Sequence, residues 1–175
     1  YNKELEIDHP FLDSLRDGAK KMMSLHGRRN ISILTNAPTG SKAIEAQVSS
    51  GIEPVFRNEY NRRKKINHNS DAVPDFVDAQ GDKWQTFSVL HHNLARYRKT
   101  TGLTDTPDYF VTSDQLDWNQ RLAMQAAVQR HIDHIVSSTI NLPRGTTPET
   151  VSGIYMEAWK MGLKTTYYLR TLAAT

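Results

Sequence analysis

Apolar residues in this chain fall into short runs whose spacing changes repeatedly between strand-like and helix-like. Ile31, Ile33 and Leu34 make an apolar run that suits a buried strand. Asn36-Ala37-Pro38-Thr39-Gly40-Ser41 breaks it with small, turn-forming residues. Helical spacing then resumes over Ser41 to Val48, where Ala43, Ile44, Ala46 and Val48 are apolar. Strand, small-residue loop and helix start together make a geometry in which open backbone N–H groups hold an anion, most often a phosphate.

The same reading extends along the chain. Phe11, Leu12, Leu15, Ala19, Met22 and Met23 share one face of a helix over Phe11 to Leu25, stopped at His26-Gly27. Gly51 is expected to terminate the helix after the loop, and Pro54 forces Glu53 to be extended. Tyr60 to Ser70 is polar and basic, and is expected to be an extended arm or loop. Asp75-Phe76-Val77-Asp78 and Trp84 to Leu90 flank Gly81, which predicts a hairpin. His91 to Lys99 suits a short helix.

A longer helix is expected from about Gln115 to Val136, capped by Ser113 or Asp114. Its apolar stripe would be Met124, Ala127, Val128, His131, Ile132 and Ile135. Ser138 to Leu142 predicts a short strand, stopped by Pro143. Thr147 and Pro148 open another helix as cap and first helical residue, with Val151, Ile154, Tyr155, Ala158 and Trp159 on its apolar side. Lys164 to Arg170 is β-branched and aromatic, hence a strand. Helix, strand, helix, strand implies parallel strands with helical crossovers, an α/β architecture.

Composition narrows the chemistry. The 175 residues suit one domain, and no window approaches the roughly 18 continuous apolar residues of a membrane span. No membrane partner is expected, and a cytoplasmic location is the default. The chain begins with Tyr1, so a processed piece or fragment of a longer protein is expected. It has no cysteine, which excludes disulfides, thiolate metal sites and thiol catalysis within it. The net charge is +3, and much of the excess sits in Arg57, Arg62, Arg63, Lys64 and Lys65, either a solvated surface or an attractor for a polyanionic nucleotide.

Other constellations carry less. His131 and His134 share a helix face but lack a third ligand, so no metal site is expected. Glu53 suits a carboxylate bonded to nearby backbone better than a general base. Phe56 and Tyr60 lie near Arg57 and Arg62, but no nucleic-acid module grammar accompanies them, and no direct nucleic-acid partner is expected.

Five segments in order carry a family resemblance: GRRNISILTNAPTGS (residues 27–41), SSGIEPVF (49–56), NRRKKIN (61–67), STINLPRGTT (138–147) and MEAWKMGLKTTYYLRT (156–171). The chain resembles the C-terminal segment of the catalytic (large) subunit of ribonucleotide reductase, from about Leu15 onward. The resemblance implies the C-terminal part of a ten-stranded α/β barrel with a small β-hairpin insertion, residues 1–175 forming one incomplete domain. It implies reduction of ribonucleotides to deoxyribonucleotides for DNA synthesis, in a bacterial or phage-infected cell.

By the same resemblance, Ala37, Pro38, Thr39, Gly40, Ser41 and Lys42 bind the phosphates of a ribonucleotide di- or triphosphate. Thr39 and Ser41 would be hydroxyl donors. Lys42 departs from the family's usual small β-branched residue. Tyr167 and Tyr168 match the tyrosine pair that relays a radical in iron-dependent members; as plain strand residues they would face opposite sides. GRRNISILT and RRKKIN look more like adenosylcobalamin-dependent members, which need no relay. Adenosylcobalamin is therefore the implied cofactor, with a di-metal radical from a separate small subunit as the alternative. The family's catalytic cysteines lie outside this segment, so the chain is expected to be inactive alone, without catalytic residues of its own. Its expected partner is an N-terminal, cysteine-bearing part on another chain, as in a split enzyme. The other reading is a non-catalytic nucleotide-binding or assembly module derived from the same fold.

Overall fold

The structure is a computed structural model and describes residues 10–67 and 71–171. In chain order the elements are α1 (Pro10–Asp13), α2 (Asp17–His26), α3 (Gly40–Ala46), β1 (Glu59–Lys65), β2 (Phe76–Val77) and β3 (Lys83–Leu90). They continue with α4 (His92–Thr101), α5 (Trp118–Gln129), β4 (Thr139–Leu142), α6 (Pro148–Lys160) and β5 (Tyr168–Thr171). Residues 55–112 form one unit, and the residues before and after them form another.

In the larger unit, β4 and β5 pair in parallel, Thr139 opposite Tyr168 through Leu142 opposite Thr171, with α6 as the crossover. Thr147 caps α6 by accepting a hydrogen bond from the Thr150 N–H, and Pro148 follows at the first turn. The core is Leu122 and Ala126 of α5, Ile140 and Leu142 of β4, Ile154 and Ala158 of α6, and Leu163. The expected alternation and the α/β class are therefore present. One further segment joins this sheet: Asn36 makes an isolated parallel bridge to Val136. Three parallel segments thus lie side by side, and the described residues do not close a barrel.

Several elements differ from expectation for identifiable reasons. Ile31 to Leu34 is not a strand, and Ile31 is 92% exposed, because its apolar side chains meet no covering layer among the described residues. The Phe11–Leu25 helix is two helices, and α2 buries none of its residues. α3 ends at Gln47, which takes a left-handed conformation, so Gly51 lies in a later turn. α5 starts after Asp117, whose carboxylate caps it by accepting from the Asn119 and Gln120 N–H groups, and it stops at Gln129. Its buried face is Arg121, Leu122, Gln125, Ala126 and Gln129, whereas Met124 and Ala127 point outward. On α6, Tyr155 and Trp159 are exposed while Ile154 and Ala158 are buried.

The smaller unit holds a three-stranded antiparallel sheet in the order β1-β3-β2, flanked by α4. The hairpin predicted around Gly81 forms, with Gly81 at φ +85°. The polar arm is instead a strand: β1 pairs with β3 along its full length, from Glu59 opposite Leu90 to Lys65 opposite Trp84. Backbone pairing needs no apolar side chains, which explains why β1 carried no strand signal. The last residues of the expected arm, 68–70, lie outside the described residues. Among those described, no helix is long and apolar enough to cross a membrane.

Candidate phosphate site and the carboxylate–tyrosine cluster

The segment leading into the small-residue loop is fixed by a carboxylate. Asp133 accepts hydrogen bonds from the Leu34 N–H at 2.7 Å and the Ile33 N–H at 2.9 Å, and it pairs with the Arg28 guanidinium. The side chains of that pair are nearly buried. Burial pushes the Asp133 carboxyl upward, but the Leu34, Ile33 and Arg28 donors outweigh it and hold the group below its ordinary value. Backbone bonds extend the attachment: His134 N–H to Leu34 C=O at 3.0 Å, Asn36 N–H to Ile135 C=O at 3.0 Å, and Ser137 N–H to Asn36 C=O at 2.9 Å.

The loop then turns sharply. Thr39 sits at φ +55°, and its hydroxyl donates to the Pro38 C=O at 2.8 Å and accepts from the Gly51 N–H at 3.1 Å. Gly51 makes the return contact: a Cβ there would lie 3.1 Å from both the Ala37 carbonyl and the Asn36 amide oxygen. The Ala43 N–H closes the first turn of α3 on the Thr39 C=O at 2.8 Å. Thr39 makes no side-chain cap to that turn. The N–H groups of Gly40, Ser41 and Lys42 therefore occupy the positions that a helix leaves without internal partners. Ala37, Thr39, Gly40, Ser41 and Lys42 are all exposed, with Pro38 half-buried. Lys42 reaches Glu45 at 3.6 Å in an exposed pair, which adds little stability.

A second cluster gathers at the start of β4. Glu53 accepts the Thr139 N–H at 2.7 Å, the backbone-bonded role expected of it. Arg121, reaching up from α5, donates to the Ser138 hydroxyl at 2.8 Å and the Thr139 C=O at 3.1 Å. Burial lowers the Arg121 pKa, and the Glu53 charge opposes that. Gln125 and Gln129 continue the row one and two helical turns along. Gln125 donates to the Val136 and Thr165 carbonyls at 3.0 and 2.9 Å, and Gln129 to those of Ile132 and His134 at 2.8 and 2.9 Å. α5 thus presents a polar clamp to the β4 approach where the sequence suggested an apolar stripe.

Tyr167 lies beside this cluster at φ +60°, which breaks strand alternation. The Tyr167 and Tyr168 rings are therefore neighbours, 4.0 Å between centroids, and do not point to opposite faces. The Tyr168 hydroxyl, burial and the Glu53 carboxylate together push the Tyr167 phenol above its ordinary value.

Asp133, Arg28, Arg121, Gln125 and Gln129 have structural roles that the sequence reading missed. The available signal was the spacing of Arg121, Gln125 and Gln129 at intervals of four, flanked by Leu122 and Ala126. His131 and His134 lie beyond the end of α5, and His134 Nδ1 is 3.3 Å from the Thr35 hydroxyl. Among the described residues, no group of three or more His, Asp or Glu could hold a metal ion.

Residues 13–169 match the family model "Ribonucleotide reductase, barrel domain". A vitamin B12-dependent ribonucleoside-diphosphate reductase of Mycobacterium tuberculosis is 33% identical over 141 residues, covering 78% of this chain and 20% of the relative. A vitamin B12-dependent ribonucleotide reductase of Streptomyces clavuligerus is 51% identical over 168 residues, covering 87% and 16%. The chain thus spans about a fifth of the length of such relatives. Among solved structures, the class Id ribonucleotide reductase alpha subunit of Actinobacillus ureae matches 88% of this chain and 29% of its own, with a TM-score of 0.59 and 18% identity. That likeness concerns the fold alone.

Proposed function

Since the chain belongs to the ribonucleotide reductase barrel-domain family, we propose that it supplies the later strands of a catalytic barrel and holds the substrate's phosphates there. The observation that carries this reading is the 37–42 loop. Its approach is pinned to the 133–137 segment, its turn is closed by Thr39 and Gly51, and its exposed helix start offers the Gly40, Ser41 and Lys42 N–H groups. Three successive N–H donors at a helix start suit a di- or triphosphate. Ser41 adds a hydroxyl and Lys42 a charge, while the Thr39 hydroxyl holds the loop shape. α3 has seven residues, so the local N–H groups matter more than a long helix dipole.

The chemistry itself requires cysteines this chain does not have. In this reading they come from an N-terminal part on another chain, and the two together reduce ribonucleotides. Adenosylcobalamin is the proposed radical source, on the strength of the B12-dependent relatives. The described histidines assemble no donor set for it: His91 and His92 lie against each other at 3.9 Å, and His134 approaches Thr35. Residues that hold the cofactor are assigned to the remainder of the enzyme. A relay through Tyr167 and Tyr168 is the alternative, favoured by their ring contact.

The test is a titration of the labelled chain with CDP and CTP, followed by amide NMR. The reading expects the largest shifts at Gly40, Ser41 and Lys42, reduced several-fold in Ser41→Ala. Shifts confined to other residues would sink it.

A further inference from the structure

One face of the β1-β3-β2 sheet has no role in the proposed reductase site. The register places Tyr60 opposite Val89, Arg62 opposite Phe87, Lys64 opposite Gln85, and Val77 opposite Lys83. Partnered residues in an antiparallel pair share a face. This face therefore carries Arg62, Lys64 and Lys83 with Tyr60 and Phe87; Asp75, just before β2, turns its carboxylate onto the Thr86 N–H at 2.5 Å. Both rings are open to solvent, at 44% and 41% exposure. The three cations make no ion pair among the described residues.

The opposite face is neutralised. Lys65 pairs with Asp82 at 2.5 Å, Arg63 stacks over the Phe76 ring at 4.9 Å, and Glu59 bonds Ser88 and the α4 residue Arg98. Asp82 and Glu59 thus have cationic partners on the paired face and Asp75 is bonded to backbone, whereas Arg62, Lys64 and Lys83 lie with two rings. Diagonal neighbours across a strand pair are about 7 Å apart, which puts Tyr60 and Phe87 within reach of successive stacked groups.

We propose that this face binds single-stranded nucleic acid, its bases stacking on Tyr60 and Phe87 and its phosphates meeting Arg62, Lys64 and Lys83. The face is open, so a lone nucleotide would find little enclosure, whereas a strand sums several weak contacts. An acidic protein segment would use the cations but would leave the rings without partners of matching chemistry. The sequence showed the basic run beside Phe56 and Tyr60. The strand pairing brings Phe87, 25 positions further on, alongside Arg62.

The experiment measures fluorescence anisotropy of a labelled oligothymidylate, about twelve nucleotides long, with the 175-residue chain. Three neutralised phosphates give a slope of about −2 in log affinity against log salt, or roughly a fifteenfold loss from 50 to 200 mM. The Tyr60→Ala/Phe87→Ala variant should weaken binding at least tenfold. Arg62→Ser/Lys64→Ser should flatten the salt slope, while Lys20→Ser/Lys21→Ser on exposed α2 should stay within twofold of the parent. Circular dichroism checks that each variant keeps the parent's fold. The proposal is overturned by no binding at 50 mM salt, by equal or tighter binding of a duplex, or by an aromatic variant that binds like the parent. Displacement of the strand by polyglutamate at equal charge would point to an acidic protein partner and would also overturn it.

Discussion

Replacing Asp133 by Asn is the sharpest perturbation of the loop's support. The carboxylate takes three charge-assisted hydrogen bonds, from Ile33, Leu34 and Arg28. Each is worth about 1.5–3 kcal/mol when its partners are dry. Ile33 and Leu34 are exposed, so water replaces part of the two backbone bonds, and the lower end applies to them. The nearly buried Arg28 guanidinium then loses the Asp133 carboxylate, and breaking one side of such a pair costs about 3–5 kcal/mol. Because the Asn amide oxygen still accepts from the backbone N–H groups, most of the loss comes from the Arg28 pair, and the expected total is about 3–5 kcal/mol, a large share of the 5–15 kcal/mol typical of a domain. Urea unfolding should show the midpoint lowered by that loss divided by the slope, with the slope itself unchanged. Hydrogen exchange at Ile33 and Leu34 should accelerate. Acid should act on the parent in the same direction. The Asp133 pKa is depressed in the folded chain, so its stabilisation is complete above the unfolded value of about 3.9 and is lost as pH falls through the folded value. A loss below 1 kcal/mol, or a parent whose stability does not fall below pH 4, would refute the argument.

Three further outcomes follow from particular contacts. Gly51→Ala puts a Cβ 3.1 Å from two oxygens at φ +51° and should cost about 1–2 kcal/mol or more in thermal unfolding. Gln125→Leu leaves the Val136 and Thr165 carbonyls without their buried donor and should cost about 2–4 kcal/mol in urea. Tyr168→Phe removes the first cause of the raised Tyr167 pKa, so ultraviolet titration should show Tyr167 ionising at lower pH than in the parent; an unchanged titration would contradict the assignment of that cause to Tyr168.

What could be read from the sequence was mostly local chemistry. Thr147-Pro148 specified the start of α6 and Gly81 the hairpin turn, because each depends on a few neighbouring residues; Glu53 bonds backbone as expected, but its partner Thr139 lies 86 positions away. The hidden parts depend on distant ones. Gln125 and Gln129 are buried because carbonyls between Ile132 and Val136, and that of Thr165, await donors, and no helical period in α5 reveals that. β1 is a strand because β3 pairs with it, although every β1 residue is exposed. Ile31 and Ile33 read as core and are exposed, since apolar spacing reports that a surface wants cover and not where the cover is. The Tyr167–Tyr168 contact follows from one positive φ at a non-glycine residue, which no pattern announces. The turn at Pro38 to Ser41 was identifiable from its small residues, whereas the Asp133 anchor of its approach lies about a hundred positions away.

The central claim is that this chain completes a reductase barrel. Its most direct test mixes the purified chain with a separately expressed, cysteine-bearing upstream portion of the Streptomyces relative, adds adenosylcobalamin and a dithiol, and measures deoxyribonucleotide formation. The account expects a stable complex and activity in the mixture, absent from either part and impaired by Ser41→Ala chiefly through KM. A stable complex without product, or a chain that binds nucleotide yet ignores the upstream portion, would contradict it.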